Sequence, residues 1–185
     1  MDFQAPLALL VFATLVLTAV ACDLRSRRIP NTLVVIGIAL GLSFPIVARM
    51  GGDLLVNPVG ASGIGAALLG GLTGLALFLP LYALRTMGAG DVKLLAMVGV
   101  WLGPEYVAWA ALWTMLAGGV LALVAALVAG VMRQVLANLH TMLVMLFLHA
   151  QTGGGLKVTA PAQTTGRLPY AVAIACGTAI ELILM

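Results

Sequence analysis

The chain has 185 residues, of which 63% are hydrophobic and only 8% charged, and its mean hydropathy is +1.17. Soluble domains carry roughly 25% charged and 45–50% apolar residues, so this composition excludes a water-solvated globule and requires lipid as the solvent. The net charge of +3 comes from nine basic residues scattered along an apolar chain, which excludes a nucleic-acid-binding patch and makes their placement a record of membrane topology.

A spanning helix needs about 20 apolar residues, within a range of about 17–25. Residues 5–22 contain no Asp, Glu, Lys or Arg and give the first such helix. Ala19-Val20-Ala21-Cys22 resembles a lipoprotein cleavage site, but residues 1–4 hold Asp2 and no basic residue. The positive start of a signal peptide is therefore missing, and a retained helix is expected. Residues 23–31 read as a charged loop in which Pro30 suits the start of a second helix, over 31–48. A loop with Arg49, Asp53 and Asn57-Pro58 leads to a third helix over 59–84.

Residues 94–132 hold one charge, Glu105, beside Gly103-Pro104. The run is too long for one helix and divides there into a short helix over about 90–103 and another over 106–131. The short helix places Asp91 somewhat below the membrane surface. In 133–150, Gln134, Asn138, Thr141 and His149 fall on one stripe, continued by Thr152, as in an amphipathic helix lying in the interface. A loop over 151–168 precedes the last helix, 169–185. The expected fold is all-α: a single membrane domain over 1–185, with six transmembrane helices and an additional interfacial amphipathic helix.

Charge tests this arrangement. With six alternating spans, Arg25, Arg27, Arg28, Arg85, Lys93, Arg133, Lys157 and Arg167 share one side, and Arg49 alone lies on the other. Cytoplasmic loops carry the excess of Lys and Arg, so the eight-residue set is cytoplasmic and both termini are outside. A spanning 133–150 would move Lys157 and Arg167 across and worsen the split. Glycines at spacing four (Gly37/Gly41, Gly70/Gly74, Gly99/Gly103) suit close helix packing in lipid. Cys22 and Cys176 are expected as buried small hydrophobes, with no disulfide or zinc site. His140 and His149 are polar-face residues and form no metal site.

The chain has six acids. Asp2 and Asp53 fall in a tail and a loop, Glu105 at a turn, and Glu181 near the outer end of the last helix. Asp23 and Asp91 differ: both stand at cytoplasmic ends of apolar helices, with basic neighbours. Asp91 follows Gly88-Ala89-Gly90, where glycine removes bulk beside the carboxylate and lets an extended backbone approach. Two close carboxylates share one proton. The ionised one takes a proton from water while the other donates to the carbonyl oxygen, so a peptide bond is hydrolysed without metal or cofactor.

Three segments resemble the prepilin peptidases, the GxGD-type aspartyl proteases of the bacterial inner membrane. Asp23-Leu-Arg-Ser-Arg-Arg-Ile-Pro-Asn31 is similar to the family's D-x-x-x-x-x-I-P-N signature. Gly88-Ala-Gly-Asp-Val-Lys-Leu-Leu95 is similar to its G-x-G-D-x-K-L motif, and Leu168-Pro-Tyr-Ala-Val-Ala-Ile-Ala-Cys-Gly177 to its closing P-Y-x-x-A-I-x-x-G helix. The resemblance implies that Asp23 and Asp91 are the catalytic pair and that Gly88, Gly90 and Lys93 support the site or contact substrate. It implies a six-helix fold with its active site at the cytoplasmic face, and no metal or other cofactor. The implied substrates are prepilins and pseudopilins with a basic leader, cut after a glycine at the membrane border. Contact with a pilus assembly machinery is a further expected partnership.

The paired cysteines of the large bifunctional members are absent, so methyltransferase activity is not expected. The compact form resembles the peptidases of tight-adherence (Flp) pilus systems, the TadV or CpaA type, and next the archaeal preflagellin peptidases. Lys93 is expected either to set orientation or to meet an acidic group of the pilin or tune Asp91. Two other classes compete: a small proton-coupled transporter, since intramembrane acids relay protons, and a non-catalytic assembly subunit of a secretion system.

Overall fold

The computed structural model describes residues 6–51, 60–84, 87–137, 140, 141, 144 and 169–185. Its elements are all helical among these: α1 (Pro6–Ser26), α2 (Asn31–Gly51), α3 (Ile64–Ala83), α4 (Ala89–Leu102), α5 (Pro104–Val128) and α6 (Tyr170–Leu184). Most of α1, and all of α3 and α5, are long and apolar enough to cross a bilayer; Asn31–Ile46 and Tyr170–Leu184 are shorter apolar helices. Leu10, Leu17, Leu68, Leu72, Leu116 and Leu127 face outward. Outward leucines at this density suit acyl chains rather than water. Pro45 and Pro80 lie inside α2 and α3, as membrane helices tolerate where neighbouring groups satisfy the freed carbonyls.

Several boundaries differ from the sequence expectation for local reasons. The first helix does not stop at Cys22: Asp23–Ser26 continue it, and Arg27 ends it in the left-handed region, φ 51°, donating its N–H to the Asp23 carbonyl at 2.8 Å. That is a left-handed C-terminal cap on a non-glycine residue. Ser26 Oγ donates to the Cys22 carbonyl at 2.8 Å and supports the same turn. Asp23 thus sits on helix, not in a loop. α3 starts at Ile64 rather than 59, because Gly60 has a φ of 114°. α5 starts at Pro104, where the missing N–H is one of the unpaired donors in any case.

The chain divides into two compact units, Met1–Gly118 with Pro169–Met185, and Gly119–Leu168. In the first, α4 is the centre: it packs against α2, α3 and α6, while α1 packs against α2 and α6. From Leu94 to Leu102 every residue of α4 is buried. A helix apolar on all sides belongs inside, and this one is ended by Gly103, φ 85°, ahead of Pro104. The α3–α4 contact is backbone to backbone: a Cβ on Gly70 would collide with the Gly99 carbonyl, and one on Gly99 with that of Gly70. Gly37 and Gly41 of α2 admit Met97 and Trp101 of α4 in the same way. Trp101 donates its indole N–H to the Gly37 carbonyl at 2.9 Å, between the rings of Phe12 and Phe44.

In the second unit α5 ends in a double cap: Gly130, φ 69°, donates to Leu127 O, and Val131 to Ala126 O. These two bonds and the left-handed glycine make a Schellman motif. Residues 132–137, 140, 141 and 144 are helical, within the stretch expected as an interfacial helix. The rest of 133–150, the loop 151–168 and Asp2, Asp53, Arg85, His149, Lys157 and Arg167 lie outside the described residues. Cys22 is half-buried and Cys176 exposed on the outer face of α6, so the expectation of two buried cysteines fails for Cys176.

Candidate active site

The last turn of α1 and the first turns of α2, α4 and α6 meet at one end of the first unit. Asp23 enters this meeting from α1. It is one of few buried polar residues among the described residues, 7% exposed, and its Oδ2 accepts the Ala171 N–H of α6 at 3.1 Å. The first N–H groups of any helix have no partner within it. Pro169 caps α6 without a side-chain bond, so a carboxylate from α1 does part of the capping.

Asp91 enters from α4, at the third position of its first turn. Its Oδ2 accepts the N–H of Gly88, the helix cap, at 3.2 Å. This is one arm of a capping box; the reciprocal arm is missing because glycine has no side chain. A Cβ at Gly88 would lie 3.2 Å from the same carboxylate oxygen. Glycine therefore keeps the surroundings of Asp91 open. The Asp23 and Asp91 carboxyl groups interact electrostatically, and Tyr170 interacts with Asp91 in the same manner.

Two further contacts lock these turns together. Lys93 Nζ donates to Asn31 Oδ1 at 3.0 Å, joining the start of α2 to the start of α4. Gly90 rests on the Ile29 side chain, where a Cβ would stand 3.4 Å from that of Ile29. Thus Ile29 and Asn31, on either side of Pro30, seat against Gly90 and Lys93. The lysine is exposed and its hydrogen bond goes to Asn31 rather than to Asp91. Arg25, Arg27 and Arg28 are exposed nearby in sequence.

All five residues singled out from the sequence, Asp23, Gly88, Gly90, Asp91 and Lys93, therefore fall at this one end. Sequence reasoning did not find the Ala171 N–H or the Tyr170 ring. The ring lies edge-on to Phe78 at 6.3 Å and against Gly118. The Pro-Tyr pair was a visible signal, but a backbone donor carries no residue signature. Chemically, the arrangement offers two carboxylates, oriented by backbone N–H groups, at the rim of an apolar bundle. The chain matches the type IV leader peptidase family over residues 10–123. No curated protein and no solved structure matches it.

Proposed function

The chain belongs to the type IV leader peptidase family, and from that premise we propose that it is an aspartyl endopeptidase using Asp23 and Asp91 as its catalytic pair. The observation that carries this reading is the placement of Asp23 and Asp91 on helix ends, far apart in sequence, that meet at one end of the first unit. Two carboxylates brought close together favour sharing one proton. One activates water, the other protonates the carbonyl oxygen, and the tetrahedral intermediate collapses with loss of the amine.

The substrates are prepilins and pseudopilins of the Flp type, each a basic leader followed by an apolar helix. Cleavage at the cytoplasmic border of the bacterial inner membrane agrees with a site at helix ends flanked by Arg25, Arg27 and Arg28. A scissile segment has to unwind, since a helix hides its carbonyls, and Gly88 and Gly90 leave room beside Asp91. Six spans with both termini outside and an interfacial helix over 133–150 complete the proposed topology. The proposed relationship within the family is to the peptidases of the tight-adherence type. Co-expression with a candidate Flp prepilin, scoring leader loss by mobility and N-terminal sequencing, tests this function.

A further inference from the structure

The two aspartates are side chains of α1 and α4, yet a third helix reaches the site through its backbone. Ala171 is fully buried, and its N–H is directed at Asp23 Oδ2 at 3.1 Å inside the protein. Its neighbour Tyr170 is packed against Phe78 and Gly118. A buried hydrogen bond from backbone to carboxylate is strong and directional, and the amino end of a helix adds its own positive field. With Oδ2 engaged, rotation of the carboxyl group is restrained. No side chain of α6 has to touch substrate for this.

We propose that the amino end of α6 is a positioning element of the peptidase, in which the Ala171 N–H holds Asp23 in its reacting orientation. The proposal rests on the peptidase reading given above. It makes α6, which lies beyond the family-matched stretch, part of the working site. A misplaced carboxylate lowers the chemical step rather than the affinity for substrate, so kcat and KM separate the effects.

The test uses the full-length chain in detergent micelles or nanodiscs with a purified prepilin that the wild type cleaves. Ala171→Pro removes the donor in a first helical turn, where the N–H has no helical partner. Ala171→Gly keeps the donor. The expected result is a fall in kcat of roughly ten- to a hundredfold for Ala171→Pro, the scale of a lost hydrogen bond to a charged group, with KM little changed. Ala171→Gly loses distinctly less. Where Ala171→Pro does not fold, Ala171→lactic acid, which exchanges only the N–H for an ester oxygen, decides with the same expected fall. A folded donor-less variant with wild-type kcat overturns the proposal, as does a loss in Ala171→Gly equal to that in Ala171→Pro. Failure of the wild type to cut any prepilin instead strikes the peptidase reading. Wild-type cleavage abolished by Asp91→Asn sustains that reading whatever happens at residue 171.

Discussion

Ala171 donates its backbone N–H to Asp23 Oδ2 at 3.1 Å and so ties the end of the first helix to the start of the last, 148 residues away in sequence. The bond has a structural consequence separate from chemistry. Asp23→Asn retains a carbonyl oxygen at the acceptor position, whereas Asp23→Ala leaves the Ala171 N–H buried and unpaired. An unsatisfied buried donor costs about 1–3 kcal/mol. Asp23→Asn is therefore expected to melt within a degree or two of the wild type in detergent, and Asp23→Ala several degrees lower. Equal melting temperatures for Asp23→Ala and the wild type would show that the bond does not hold α6.

The α3–α4 interface makes a second prediction. Gly99→Ala places a methyl group against the Gly70 carbonyl, and rigid backbone on both sides cannot yield without parting the helices. Overpacking of this kind costs roughly 1–3 kcal/mol. Gly65, on the same helix as Gly70, has open space around it, so Gly65→Ala gains roughly 0.5–1 kcal/mol from backbone entropy alone. Thermal unfolding of the two variants, followed by tryptophan fluorescence, should shift in opposite directions.

How far the sequence could be read follows from these cases. Apolar runs placed the helices, since a stretch without charges in lipid has few alternatives to a helix. The spacing-four glycines marked the close contacts correctly because shape in lipid packing depends on small residues. The Asp91 turn was legible because glycine, aspartate and helix start are adjacent in sequence. The helical state of Asp23 was not legible: charge suggested a loop, and the cap at Arg27 relies on a left-handed residue that is not glycine. The union of Asn31 with Lys93, and of Asp23 with Ala171, is tertiary. Neither leaves any periodic trace in the chain.

The Asn31–Lys93 bond predicts coupling between two motif positions. Asn31→Ala and Lys93→Met each remove one end of an exposed hydrogen bond, worth about 0.5–1 kcal/mol in such a setting. If the bond serves to seat α4 against the α1–α2 turn, each variant loses a fewfold in cleavage rate and the double variant loses no more than either single one. A double-mutant cycle measured on prepilin cleavage checks this. Additive losses would mean that Lys93 acts on substrate independently of Asn31.

The central claim is that Asp23 and Asp91 together hydrolyse the leader. The most direct measurement is cleavage of a co-expressed Flp-type prepilin by the wild type, by Asp23→Asn and by Asp91→Asn, at matched membrane levels and with the melting temperature of each recorded. The account predicts a shortened precursor with the wild type alone, both variants folded and each reduced by at least a thousandfold, the order of loss when a member of a catalytic unit is removed. Undiminished cleavage by either folded variant would contradict the aspartate pair.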